Sequence, residues 1–477
     1  MVRKWLITTA EETTWPKEGA VVFLGEWCKL YSRKDYWGKF NSSKVEYHWD
    51  DRLKLKDDVA YLEDIYEKLL LEVSNNLNKF HEVNYTTRYW RILIGPWLNY
   101  FIQILYDRWY MLKSAIQHHN IDYCIILKRD LCESIPADMS HFNRLISSDT
   151  WNEVIYAQLL TECFKSELEL IEKKPDISFS KINPDIVIEK KSYFKKIILK
   201  IIFKLNSWTV KDDEYFFLST YLPLIQDLRL QFKIGQFPKL WRSPSYRRLK
   251  TDLIERKKII DVNDKLDEFN NIVRKLLPFH IPSSYFEGYK DLLSLSEQNE
   301  WPRSPKGIFT SVSYSLDDVF KIWTANKVEV GVPLFIGQHG GHFGTSPFSF
   351  QESHPIKISD KFLSWGWSQP EVSKIIPIGN IKEFDSRPNY NKQGIALLVE
   401  INMSQYSGYL YSVPVSSQIL YYFDDQFKFF SALPESLREK VLVRFPGADK
   451  GWNSKLRWED KFTNVKIDSR KKSLKAL

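Results

Sequence analysis

Cysteine is scarce: four residues in 477, Cys28, Cys124, Cys132 and Cys163, with no Cys-x-x-Cys pair among them. This spacing excludes a disulfide framework and fits buried thiols in a reducing cytosol. No apolar run reaches the roughly 20 residues that a membrane-spanning helix needs. The longest, 92–106, is broken by Gly95-Pro96, Asn99 and Gln103. The first ten residues hold too few apolar side chains before Glu11 and Glu12 for a signal-peptide core. A Gly-x-x-x-x-Gly-Lys-Ser/Thr phosphate loop, a Gly-x-Ser-x-Gly elbow and a complete dinucleotide fingerprint are all missing. So are zinc-finger, helix-turn-helix and RNA-recognition signatures, so nucleic acid is not an expected partner. The expected location is cytoplasmic.

Hydrophobic residues make up 43% and aromatics 15%, a composition that builds a packed core rather than a disordered chain. The length exceeds one typical core, so two domains are expected. The net charge of +8 suits anionic ligands or a membrane surface.

Short apolar runs at 5–9, 20–25, 121–127, 214–220, 308–311, 332–336, 363–367, 395–401 and 440–445 read as strands. Apolar residues at helical spacing, Leu62, Ile65, Leu69, Leu70, Val73 and Leu77, predict a helix over 53–80. A second helix is expected to start at Pro96, a favoured first-turn residue. Its Trp97, Phe101, Leu105 and Trp109 form a stripe of core type. Strands alternating with helices argue for parallel sheets. The fold expectation is α/β, with two Rossmann-like domains of the glycosyltransferase-B type. Residues 1–300 would form an acceptor-side domain with a lysine-rich insertion at about 164–210. Residues 301–477 would form a donor-side domain. The stretch 190–204, basic and strongly apolar, would set Lys196, Lys200 and Lys204 in one row of a helix. That helix could rest at the inner membrane.

The densest motif is Gly337-Gln338-His339-Gly340-Gly341-His342-Phe343-Gly344, with four glycines in eight residues. It follows an apolar strand, and ligands of open α/β sheets bind at strand carboxyl ends. Gly337, Gln338, Gly340, Gly341, His342 and Gly344 are the expected donor-binding residues, because backbone amides can face a leaving phosphate. Arg444, at the end of another strand, would add a fixed cation. Glu26, Asp50, Asp51 and His339 are the candidate general bases or nucleophiles for sugar transfer. His339-x-x-His342 raises a zinc reading, but the glycines between them break the helix such a pair normally rides. No metal is therefore expected. His354-Pro355 matches histidine–proline pairs of some cytidylate-sugar transferases, a dipeptide too short to carry an assignment.

Longer blocks are more specific. Residues 5–15, Phe23-Leu24-Gly25-Glu26-Trp27-Cys28, Tyr47-His48-Trp49-Asp50-Asp51-Arg52, residues 88–97 and the glycine loop resemble a bacterial transferase family. That family was first named from leptospiral surface-polysaccharide gene clusters. The resemblance implies a glycosyltransferase-B architecture and a role in lipopolysaccharide or capsule synthesis. It implies a nucleotide-sugar donor as substrate, no separate cofactor, and a glycan or lipid-linked glycan acceptor. The resemblance further implies family members that run on past residue 477, which would leave the domain 301–477 incomplete, so a truncated, non-catalytic remnant or binding partner of an assembly complex is the second expectation. A metal-dependent hydrolase using His339 and His342 is a third.

Overall fold

The computed structural model describes residues 3–183, 208–261, 266–382, 394–408, 410 and 415–469. The stretch 190–204 lies outside the described residues. Among the described residues, no helix is long and apolar enough to cross a membrane.

Three parallel sheets organise the chain. Strands β1 (Lys4–Ile7), β2 (Ala20–Phe23), β3 (Ser42–Lys44), β4 (Tyr123–Leu127) and β5 (Glu169–Lys173) form the first, in the order β3-β2-β1-β4-β5. The winding direction reverses between β1 and β4, as in Rossmann-like sheets. Strands β6 (Tyr215–Leu218), β7 (Gly307–Thr310), β8 (Leu334–Gly337), β9 (Lys361–Ser364) and β10 (Ile375–Pro377) form the second, each beside its predecessor. Strands β11 (Ala396–Val399), β12 (Val441–Arg444) and β13 (Lys466–Ile467) form the third. The sequence reading anticipates two sheets. The second ends at β10, whose last residue is a proline without an N–H to extend pairing. Strand β6 precedes residue 300 in the chain, yet it pairs with β7 beyond it.

Two long helices, α1 (Arg52–His81) and α2 (Thr87–His118), join β3 to β4 and pack on each other. Helix α1 buries Leu62, Ile65, Leu69, Leu70, Val73 and Leu77, the periodic set expected of it, and Leu55 besides. Helix α2 does not begin at Pro96. The Thr86 hydroxyl accepts from the Tyr89 amide and caps an earlier start, leaving Pro96 inside the helix. An interior proline costs one helical hydrogen bond. Burial of nearly every residue from Tyr89 to Leu112 offsets that cost. Trp97, Phe101, Leu105 and Trp109 are core, as their spacing predicts.

One apolar core runs from Leu6 in β1 through α2 to Phe362 and Ile375 of the second sheet. The third sheet has its own small cores, around Val443 and Trp458 and around Phe423 and Trp452. The chain after β11 ties it to the rest, placing Tyr406, Leu410 and Val415 in the large core and adding polar contacts. Arg108, fully buried, donates to the Ser407 hydroxyl at 2.7 Å and the Ser407 carbonyl at 2.8 Å. The Tyr406 hydroxyl donates to Asp149 at 2.5 Å.

Candidate functional site

In open parallel sheets the carboxyl edge is the place for ligands. At the first sheet the chain fills this edge itself. Trp15 and Trp27 donate to the carbonyls of Thr9 and Thr8 after β1, each at 3.0 Å. Tyr406 packs against Trp27 with ring centroids 6.1 Å apart. The second sheet keeps its carboxyl edge for four loops, which follow β6, β7, β8 and β9.

The glycine loop leaves β8. A Cβ on Gly337 would stand 2.7 Å from the Ser311 hydroxyl and 3.1 Å from the Phe309 ring, so only glycine fits there. Gln338 is buried and fastens the loop. Its Nε2 donates to the Gly340 carbonyl at 2.6 Å, and its Oε1 accepts from the Trp365 amide and the Trp367 indole, both at 2.8 Å. Gly344, at φ +76°, lies against the Trp367 ring, and its amide donates to Glu352 at 2.7 Å. Gly341 has nothing within 4 Å of its Cβ position, so a ligand can approach its backbone.

His339 is pushed down to about 4, first by burial and then by His342 and Lys382. It is therefore neutral at physiological pH. Its Nδ1 lies 3.4 Å from the Tyr314 hydroxyl, in the short helix Ser313–Leu316 that follows β7. Its carbonyl accepts from Lys382 Nζ at 2.6 Å. That lysine sits 4.2 Å from the Tyr221 ring and 5.2 Å from the Trp365 ring. Tyr221 and Ser219, on the loop after β6, hold φ of +62° and +52°. Non-glycine residues rarely occupy this region, and such strain gathers at functional sites.

Beneath the loop lies a cavity of about 40 Å³, lined by Pro96, Tyr100, Tyr314, His339, Gln351 and His354. His354 comes from α3 (Phe350–Ile358). Burial, followed by Arg91, Lys321 and Lys357, keeps it neutral. Neither of its ring nitrogens has a hydrogen-bond partner, although both are buried. An unsatisfied buried polar group costs about 1–3 kcal/mol, so this cavity is suited to a hydroxyl or a water. Among the described residues, no group of three or more His, Cys, Asp or Glu side chains could hold a metal ion.

A parallel α/β architecture with a cation, glycine amides and neutral imidazoles at one strand edge suits group transfer. The chain belongs to the LIC12162 family of transferases. That family's model matches residues 4–477. No curated protein and no solved structure matches the chain.

In this transferase the residues singled out from sequence are spread over three sheets. Gly337, Gln338, His339, Gly340, Gly341, His342 and Gly344 share the second-sheet loop. Glu26 follows β2 and pairs with Lys29 at 2.9 Å and Lys44 at 3.3 Å. Burial would raise its pKa, but the two lysines outweigh that and hold it low. Asp50 accepts from Gln418 at 3.0 Å. Asp51 caps α1, accepting from the amides of Leu53 at 2.9 Å and Lys54 at 3.1 Å. Arg444 ends β12 in the third sheet and lies 3.2 Å from Asp468. Lys382, Tyr221, Trp365 and Tyr314 join the second-sheet loop, and sequence reasoning misses them as site residues; His354, noted in sequence only as part of a His-Pro pair and left unassigned, joins them. For most of them no local motif signals it. Lys382 stands alone in Gly379-Asn380-Ile381-Lys382.

Proposed function

We propose that this transferase is a glycosyltransferase that moves a sugar from a nucleotide-sugar donor to a cell-envelope polysaccharide, and that the second-sheet edge is its donor site. The observation that carries the reading is Lys382, pinned to the His339 carbonyl between two aromatic rings beside an open glycine backbone. A leaving nucleoside phosphate is anionic. It requires a cation and backbone amides, and its base can stack on an aromatic face. Lys382, Gly340 and Gly341, and Tyr221 or Trp365 supply these. Lys382, rather than the Asp468-paired Arg444, is the cation of the site.

The sugar's hydroxyls face the small cavity, where neutral His354 and His339 accept hydrogen bonds. His339 is the candidate proton acceptor for the incoming hydroxyl. Burial lowers its basicity most, followed by His342 and by repulsion from the charge of Lys382. A phosphate bound at Lys382 cancels that repulsion and makes the imidazole a better base when donor is present. The cytoplasmic face of the inner membrane, where nucleotide sugars meet envelope glycans, is the proposed location.

The test is a melting-temperature survey with a panel of nucleotide sugars. A ligand at roughly 100 times its Kd stabilises the native state by about 2.7 kcal/mol. One nucleotide class raising the melting point of wild type but not of Lys382→Ala supports the reading. No response to any member of the panel rejects it.

A further inference from the structure

Parallel sheets normally have both faces covered. The second sheet buries Phe216, Ile308, Leu334, Ile336 and Phe362 on one face. On the other face, Phe217 pairs with Phe309, and Phe309 with Phe335. These three, with Leu363, are only partly buried. Together with Ile378 and Ile381 they line an open groove of about 450 Å³. Every side chain lining it is apolar or aromatic. Its volume falls within the range of ligand sites.

Two observations say what the groove takes. First, it is continuous with the transferase site. Leu222 and Ile381 line the groove, and their chain neighbours Tyr221 and Lys382 form the site. The Ile381 side chain reaches within 3.3 Å of a Cβ position on Gly337, where the glycine loop begins. Second, the helix that walls the groove with Leu230 is apolar on its outer side as well. The helix Leu224–Lys233 and the turn after it leave Leu224, Ile225, Phe232 and Phe237 each more than half exposed. Soluble surfaces rarely gather large side chains this way, whereas a surface that rests among acyl chains does.

We propose that the groove holds the hydrocarbon tail of a lipid-linked acceptor, whose glycan head passes over the Leu222–Ile381 rim to the sugar-transfer site. The proposal rests on the glycosyltransferase reading for the head group. For the tail it rests on the groove alone.

Alkyl glucosides of increasing chain length, held below micelle formation, are the probes, and calorimetry on the full chain is the readout. Affinity should rise about threefold to fourfold per added methylene, and glucose itself should give no heat. Ile378 is 47% exposed, so Ile378→Glu should fold normally. It should weaken decyl glucoside at least tenfold while leaving the nucleotide-sugar melting shift intact. Affinity independent of chain length, or equal in wild type and Ile378→Glu, overturns the proposal. So does a wild-type dimer that Ile378→Glu converts to monomer, since a second copy would then be the occupant. If decyl glucoside binds as described but no nucleotide sugar does, the glycosyltransferase reading fails and the tail site stands. The reverse result removes the tail site alone.

Discussion

The imidazole of His354 rests on the backbone of α2 at Gly95: a Cβ there would come within 3.0 Å of Cε1 and within 2.9 Å of the Tyr66 hydroxyl. The glycine thus lets an unpartnered histidine enter the helix surface beside Pro96, at the floor of the proposed sugar cavity. Two effects compete in Gly95→Ala. Helix propensity favours alanine by about 1 kcal/mol. Overpacking against a buried ring costs about 1–3 kcal/mol. The clash involves two buried groups at once, the His354 ring and the Tyr66 hydroxyl, so overpacking should win. Urea denaturation should show a net loss of stability of up to about 2 kcal/mol. A stability equal to or above wild type would mean that the ring yields freely.

Lys382 and Arg444 make a direct comparison. Lys382→Ala removes the cation beside the glycine loop and should weaken nucleotide-sugar binding by about 1.5–3 kcal/mol, roughly tenfold to a hundredfold. Its exposed position predicts little change in melting temperature. Arg444→Ala removes an ion pair inside the third sheet and should do the opposite, lowering stability while leaving donor affinity within about twofold. Titration calorimetry on both variants checks the pair. Donor binding lost in Arg444→Ala and kept in Lys382→Ala would move the donor site to the third sheet.

Asp51 tests the acidic cluster near the amino terminus. As the cap of α1 it should cost about 0.5–2 kcal/mol when replaced by alanine and little when replaced by asparagine, which caps as well. Turnover should persist in both variants once each is assayed folded. A hundredfold loss of turnover in Asp51→Asn, with stability unchanged, would show that the carboxylate acts in chemistry instead.

Strands with strong apolar runs are legible in the amino-acid sequence, because buried parallel strands are continuously hydrophobic. Strands β3, β5 and β13 are not. Ser42–Lys44, Glu169–Lys173 and Lys466–Ile467 are edge strands rich in polar or charged side chains, so no apolar run marks them, unlike the edge strands β6 and β11, and the edge strand β10 is too short to stand out. The start of α2 is hidden because Pro96 looks like a first-turn residue, while the Thr86 cap is a weaker local signal. Gly337 to Gly344 announce a loop through glycine density alone. Lys382, Tyr221 and Trp365 carry no such mark, since only the order of strands in the second sheet brings their loops together. Asp51 has the residue type of a cap, yet its place in the run His48-Trp49-Asp50-Asp51-Arg52 makes it look like part of a catalytic cluster.

Glu153 sets a pH dependence on the fold. Burial, the largest cause, pushes its carboxyl up to about 7, even though the Leu127 amide donates to it at 2.7 Å and Arg129 lies 3.6 Å away. In the unfolded chain it titrates near 4.5. Between pH 4.5 and 7 the native state therefore holds a proton that the unfolded state has released. Its contribution to stability is full below pH 4.5 and is lost as pH rises through 7. In Glu153→Gln the amide oxygen can still accept from Leu127 and has no proton to lose. Urea unfolding at pH 5 and pH 7.5 should show a smaller drop in stability for Glu153→Gln than for wild type, by about 1–3 kcal/mol. Other carboxyls raised by burial, among them Asp149, pushed up to about 6, keep part of the slope in the variant. Equal drops in the two proteins would mean that Glu153 is already ionised at pH 5, held so by the Arg129 charge.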